Sequence, residues 1–370
     1  MARTLWGVAG RRELIAGSAG LVALLTISAC ATKEDTGRAR GYVAPVVDHH
    51  MHLRSAIASR VTKLSCERQG PIRCPPLTSR EPSSGADALR DLNAAGIQRG
   101  VLLSMAYIYG SSFYADQNLD VAKETRAENE FVVAEAARSC GRLIAFISVN
   151  PLSPHAVSEI RYWGRRNGAV GLKLHFGNSD VNLRSPGAVA TLKAVVREAA
   201  MAHLAIVVHL ESRADDYGAE DVQIFLRDIL PEAKGAPVQV AHTAGGGGTT
   251  VHTLQALAAF AEAIQRDPDG TRNLFFDLAM VPEAMNNSAK TPVAVENLET
   301  LKTLMRRIGL KRFVMGSDWS LGLDLDHYFR EEATTLGLSD VEWATLAANV
   351  APYILPTPTR PCRKIMSAAR

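Results

Sequence analysis

Cysteine is scarce in this chain and wrongly spaced for a thiolate cluster. Its 370 residues include five, at Cys30, Cys66, Cys74, Cys140 and Cys362. None forms a C-x-x-C pair, which argues against a zinc site built on thiolates. Net charge is also lacking: 41 Lys and Arg against 38 Asp and Glu leave +3, and Arg3, Arg11 and Arg12 against Glu13 place +2 of it before Cys30. A body so near neutrality argues against a nucleic-acid-binding surface. No internal repeat is visible. The glycine run in "AHTAGGGGTT" lacks the G-x-x-x-x-G-K-[ST] pattern of a phosphate loop. Glycines before a helix can expose N–H groups to an anion, but Gly245 to Gly248 read better as backbone passing close to a pocket. Apolar material is ample, at 47% of the chain, enough for a large core in two ordinary domains or one α/β barrel.

The first 29 residues are best set apart from the fold. "GRRELIAGSAGLVALLTISAC" has a basic head, a short apolar run and small residues before a cysteine, the pattern of a secretory signal and not of a membrane span. Ile27, Ser28, Ala29 and Cys30 resemble the bacterial lipobox, in which cleavage leaves the cysteine as the lipid-bearing first residue. Arg11 and Arg12, followed by Glu13, Leu14 and Ile15, partly resemble a twin-arginine signal. The expectation is a signal over 1–29, a linker over 30–42, and a protein anchored through Cys30 to a bacterial membrane, facing the periplasm or cell surface. That compartment permits disulfides, and Cys66 with Cys74 could close a small loop.

From Val43 onward, β-rich runs alternate with helical stretches. The runs are "VAPVVDHH", "GVLLSM", "LIAFISV", "VGLKLH", "LAIVVHL", "PVQVAHT", "LFFDLAM" and "FVMGSD". Helical periodicity appears in "VAKETRAENEFVVAEAARS", "AVATLKAVVREAAMAH", "AEDVQIFLRDIL" and "AVENLETLKTLMRRIG". Eight strands, each followed by a helix, predict an α/β protein with a single (β/α)8 barrel over 43–355, trailed by a proline-containing tail over 356–370. An open doubly wound sheet is the alternative.

The first run ends in three histidines within four positions. Residues two apart in a strand share a face, so His50 and His52 should point together into the top of the barrel while His49 turns toward the helical layer. Neutral imidazoles converging in a confined space suit a divalent metal. Other ionisable residues also end strands: His175 with Lys173 two residues earlier, then His209, His242 and Asp318. Barrel enzymes keep their chemistry at such positions.

With these residues in place, the chain resembles the amidohydrolase superfamily, closest to its amidohydrolase-related branch of hydrolases and metal-dependent decarboxylases. The resemblance rests on Asp48-His49-His50-Met51-His52 as a D-x-H-x-H, on His209 and His242, on "GSDW" around Asp318, and on the ending "LSDVEWATLAANVAPYIL". That ending begins with a capping box of Ser339 and Glu342. The resemblance implies His50, His52, His209 and Asp318 as metal ligands. It makes His242 a second-site ligand or a polariser of the substrate.

A zinc ion would lower the pKa of its bound water to about 7, and a neighbouring carboxylate could pass the proton to the leaving group. Asp318 is the candidate base, read as the only strand-end carboxylate beside the proposed histidines, with Glu211 expected on the other face. Lys173 stays open between three roles: carboxylated and bridging a second metal, a point charge for a substrate carboxylate, or structural. One divalent ion, zinc for this donor set, is the default.

Weaker signals bear on substrate. "SMAYIYGSSFYADQ" carries Tyr107, Tyr109, Phe113 and Tyr114, an aromatic wall for an apolar substrate or the packing of a cover loop. His175 and Arg213 could contact substrate, Arg213 by binding a carboxylate or by a surface salt bridge. Residues 54 to 84 read as a long loop, a lid or a disulfide-pinned excursion. The function expected is hydrolysis of an amide, lactone or ester in a small molecule. Non-oxidative decarboxylation is the alternative, and a non-catalytic, lipid-anchored metal-binding protein is a third reading. Oligomerisation is compatible with all three.

Overall fold

The computed structural model describes residues 41–69, 81–114, 119–212, 214, 216–286, 289–292, 294–319 and 323–354. The expected signal, the lipobox with Cys30, the tail over 356–370, Cys74, Cys362 and Arg213 lie outside them.

Seven strands follow one another in parallel: β1 (Val47–Met51), β2 (Arg99–Leu103), β3 (Leu143–Ser148), β4 (Ala169–His175), β5 (Ala205–His209), β6 (Val238–Val240) and β7 (Leu274–Asp277). A short antiparallel hairpin, β8 (Glu283–Asn286) with β9 (Ala289–Pro292), precedes the eighth barrel strand, β10 (Phe313–Val314). The sheet order is β1-β2-β3-β4-β5-β6-β7-β10. Backbone bonds from His49 N–H to Met315 O (2.9 Å), Asp318 N–H to His50 O (2.8 Å) and His52 N–H to Trp319 O (2.8 Å) close it. The fold is the expected (β/α)8 barrel. All eight runs named from the sequence contain barrel strands, because both faces of a parallel barrel are covered and its strands must be apolar throughout.

Helices alternate with the strands: α1 (Ala56–Gln69), α2 (Gly85–Ala94), α3 (Val121–Ala137), α4 (Ala156–Gly164), α5 (Pro186–Met201), α6 (Ala219–Ile224), α7 (Val251–Arg266), α8 (Val295–Ile308), α9 (Leu325–Leu336) and α10 (Asp340–Ala348). Their starts carry side-chain caps where the sequence supplies them. Asp120 accepts from Lys123 N–H, Ser185 from Ala188 N–H ahead of Pro186, and Ser339 and Glu342 form the anticipated capping box. Such caps satisfy N–H groups that the first turn leaves without partners.

Three expectations need correction. The region 54 to 84, read as a loop, contains α1, whose Ala58 and Val61 pack with Tyr107, Ile108 and Tyr109. Its weak apolar periodicity concealed it. The stretch "AEDVQIFLRDIL" is not one α-helix: it passes from α6 into a wider turn over Phe225–Ile229 and a tight turn over Leu230–Ala233. His49 does not face the helices. Pairing of β1 with β2 shifts register between Asp48 and Met51, so strict alternation fails there, and the His49 ring lies edge-on to Tyr353 at 6.4 Å. Cys66 and Cys140 are both disulfide-bonded.

Two apolar layers hold the barrel. The larger lies between strands and helices. The smaller fills the interior with Val47, Val101, Leu103, Phe146, Val207, Val314 and Tyr353. Gly171 belongs to this inner packing, since a Cβ there would come within 2.0 Å of the Phe146 ring.

Candidate metal centre

The strand ends bring His50, His52, Lys173, His209, His242, Asp277 and Asp318 to the same mouth of the barrel. Two of these residues need unusual backbone. His242 stands two residues beyond the end of β6 at φ 52°, followed by Thr243 at 50° and Ala244 at 71°, and Asp318 adopts φ 58°. His and Asp enter the left-handed region more readily than most residues, whereas a β-branched Thr there is strained. Strain of this kind concentrates at functional sites. Elements that continued as regular strands would aim these side chains elsewhere.

Three imidazoles of the centre, those of His50, His52 and His242, are held through Nδ1. His52 Nδ1 lies 2.8 Å from the Leu103 carbonyl, and His242 Nδ1 lies 2.7 Å from the Ala279 carbonyl. A carbonyl only accepts, so both rings carry their proton on Nδ1 and leave Nε2 as a bare lone pair. His50 Nδ1 lies 3.0 Å from Asp277 Oδ2, which imposes the same tautomer. Burial, followed by the charge of Lys173, draws the pKa of His50 from 6.5 down to about 3. Burial lowers His52 as well, so both rings are neutral at pH 7.

The bare nitrogens converge. His50 Nε2 and His52 Nε2 are 3.2 Å apart, and Asp318 Oδ1 lies 3.4 Å from the first and 3.2 Å from the second. Three electron-pair donors with no hydrogen among them repel one another unless a cation lies between. Their separations match the edge, about 3.3 Å, of a tetrahedron with metal–ligand legs of about 2.0–2.1 Å. The residues present therefore fit a divalent ion. Asp318 is the most open of the three, its side chain 24% exposed against 1% for His50 and 9% for His52.

Asp277 has no place among the residues singled out from the sequence, yet it organises the centre. It ends β7, so Asp318 is not the only strand-end carboxylate. The strand-end rule that picked Asp318 applies equally to the "LFFD" run. Asp277 Oδ2 receives His50 Nδ1 and Gln239 Nε2 (2.7 Å), while Oδ1 receives His242 N–H (2.8 Å) and Ala279 N–H (3.3 Å). Burial would raise its pKa, but His50 and these donors outweigh that and hold it below the usual range. His50, His242 and Asp277 also bring one ligand atom each within 4.8 Å of one another. With every lone-pair direction of Asp277 occupied, that group is a hydrogen-bonded support and not a second metal cage.

The other expected residues divide. His209 lies at the mouth but belongs to neither compact donor group among the described residues. Its ring stacks on His175 at 3.8 Å and 14°, and it stands 4.9 Å from His242. Burial holds its pKa well down, aided by His175 and His242. Lys173 is buried with Nζ 3.4 Å from His50 Nε2, and burial lowers its pKa from 10.5 to about 8. Tyr107 joins the centre, its ring 4.8 Å from His175 and 6.4 Å from His52. Tyr109 turns away: its hydroxyl donates to Glu128 (3.3 Å), and it lines a separate cavity of about 380 Å³ with Val61, Tyr114 and Asp180. Glu211, expected on the outer face, stands two residues after His209. Its carboxylate lies against Gly246, where a Cβ would come within 1.5 Å of Oε2. That close approach gives the glycine run its reason. Asp48 Oδ2 accepts from the Ser317 hydroxyl, and its Oδ1 accepts from Ser317 N–H and His50 N–H, both at 3.1 Å, tying the two ligand-bearing segments together.

A family model described as amidohydrolase matches residues 47–341. No curated protein matches the chain. Among solved structures it is similar to 5-carboxyvanillate decarboxylase of Novosphingobium aromaticivorans, complexed with manganese and 4-hydroxy-3-methoxy-5-nitrobenzoic acid (14% identity, TM-score 0.56, 85% of this chain and 96% of that one). It is similar also to an amidohydrolase of Burkholderia multivorans with bound zinc (13% identity, TM-score 0.53, 85% and 100%). A third is the IDCase of Metarhizium anisopliae in apo form (14% identity, TM-score 0.53, 84% and 97%). At these identities the shared property is the fold.

Proposed function

The chain belongs to the amidohydrolase family, an enzyme family of metal-dependent hydrolases and decarboxylases, and on that premise we propose that it hydrolyses an amide, lactone or ester bond of a small molecule. The observation that carries this reading is the convergence of His50 Nε2, His52 Nε2 and Asp318 Oδ1 with no hydrogen among them. His50, His52 and Asp318, with His209 as the further ligand, would hold a divalent ion, zinc for this donor set, and that ion would supply the Lewis acidity that brings the pKa of a water to about 7. Asp318, ionised and the most open of the three, takes the proton and returns it to the leaving group. The bare Nε2 of His242 faces the site as a second acceptor. Tyr107 and His175 form its aromatic wall.

Decarboxylation of a carboxylated substrate is the second reading. The buried ammonium of Lys173 beside His50 favours it, because a point charge there would hold a substrate carboxylate. A screen of amides, lactones, esters and carboxylated aromatics tests the two. Hydrolysis places oxygen from labelled water in the product, decarboxylation releases CO₂, and turnover of no member with metal bound would sink both.

We also propose that the chain is lipidated at Cys30 and acts at a bacterial membrane. Cys30→Ala should shift the protein from the membrane to the soluble fraction or block its processing, since attached acyl chains add about 0.8 kcal/mol of membrane affinity per buried CH₂. Unchanged processing and membrane association would exclude it.

A further inference from the structure

A continuous line of hydrogen bonds runs from the last described residues of the chain, through the middle of the barrel, to the metal centre. The last turn of α10 meets the start of β1, where Val46 N–H donates to Ala347 O at 2.8 Å. Ala351 N–H donates to His49 Nε2 at 3.1 Å, and the opposite side of that ring, Nδ1, donates to Met315 O at 3.0 Å. Tyr353 then enters the inner cluster, its ring edge-on to Phe146 at 5.0 Å. Its hydroxyl donates to Gln239 Oε1. Gln239 Nε2 donates to Asp277 Oδ2 at 2.7 Å and to the His49 carbonyl at 3.3 Å. Asp277 Oδ2 in turn receives His50 Nδ1.

The polarity of this line is fixed at every link. An amide oxygen only accepts and an amide nitrogen only donates, so Tyr353 must be the donor at one end, and Gln239 has one orientation that serves all three of its partners. Gln239 and Asp277 are both fully buried, so neither can turn to water if a partner is lost. Loss of the Tyr353 hydroxyl would leave the buried Gln239 Oε1 without that donor, and the amide would move to regain one, loosening the bond from its Nε2 to Asp277. Asp277 would then shift, and with it the tautomer and ring plane of His50.

We propose that Tyr353 and Gln239 are positioning residues for His50, through which the C-terminal segment sets the affinity of the centre for its metal. The proposal rests on the reading of His50 as a ligand. Partners of a ligating histidine typically contribute 10- to 100-fold in metal affinity. Tyr353 acts two links further out, so about 3- to 10-fold is expected.

The test is metal binding by the purified full chain, with cobalt(II) as probe and a chromophoric chelator as competitor, under conditions where every variant is folded by circular dichroism. Tyr353→Phe removes only the hydroxyl and should weaken cobalt binding by about 3- to 10-fold with an altered visible ligand-field spectrum. Gln239→Met breaks the line one link nearer and should do the same or more, which keeps the test decisive if the first variant does not fold. Asp277→Asn combined with Tyr353→Phe should lose little beyond Asp277→Asn alone, because both act on one line. Wild-type affinity and spectrum in both Tyr353→Phe and Gln239→Met would overturn the inference and leave the metal centre standing. A wild-type chain that takes up no cobalt would overturn both.

Discussion

His50 Nδ1 and Asp277 Oδ2 stand 3.0 Å apart, both buried, across 227 residues of sequence. That one contact decides which nitrogen of His50 is bare and where it points. It makes a residue that touches no substrate part of the metal site. Asp277→Asn keeps the shape and removes the charge. Its metal affinity should fall by about 10- to 100-fold, measured by chelator competition, with little change in the far-UV spectrum. Undiminished affinity would show that the tautomer of His50 is fixed by something else.

Asp318 separates proton transfer from metal binding. General acid–base catalysis contributes about 10²- to 10⁴-fold, so Asp318→Asn should lower kcat by that range on whichever substrate the screen yields. Metal content should fall much less, because an amide oxygen still occupies the ligand position. Near-normal turnover would move the proton to His242, whose Nε2 is bare because Nδ1 is engaged by Ala279 O.

Acid should destabilise the metal-free protein through His49. Its Nδ1–H is given to Met315 O and its Nε2 accepts Ala351 N–H, so a second proton would face a donor. Burial lowers its pKa from 6.5 to about 4. A histidine with a depressed folded-state pKa contributes stability that is fully present above about 6.5 and is lost as pH falls toward 4, at up to about 1.4 kcal/mol per pH unit. Urea unfolding of the apo chain at pH 7 and pH 5 should show this loss, and His49→Gln should show less of it. Equal slopes would remove His49 from the acid response.

Lys173 distinguishes the substrate classes. If its ammonium holds a substrate carboxylate, Lys173→Met should raise KM for carboxylated substrates by about 10- to 100-fold, the worth of a hydrogen bond to a charged group, with kcat less affected. A dependence of activity on added bicarbonate together with two metal ions per chain would instead mark Lys173 as carboxylated.

The barrel was legible because each strand lies in a largely apolar, β-rich run, and the centre because His50, His52, His209 and Asp318 lie at or near the ends of such runs. What escaped depended on contacts between distant residues. Asp277 looked like the end of an ordinary strand, and only its bonds to His50, Gln239 and His242 give it a role. The direction of His49 followed a register shift in β1 that period-two reasoning does not contain. Helix α1 escaped because its buried side is narrow: Ala58, Val61, Ser65 and Cys66 are covered while Arg60, Leu64 and Glu67 face solvent. Tyr353 lies past the last helix, within the span 43–355 read as the barrel, but nothing local marks its ring as part of the barrel interior.

The central claim is a divalent ion held by His50 and His52 together with Asp318. Metal analysis of the purified protein and of the double variant His50→Ala, His52→Ala tests it most directly. The wild type should carry about one tightly held ion per chain, the number one tetrahedral set of donors can hold. The double variant should carry almost none while remaining folded, since core burial and not the ion dominates stability in a chain this long. Full metal occupancy in the folded double variant would contradict the account.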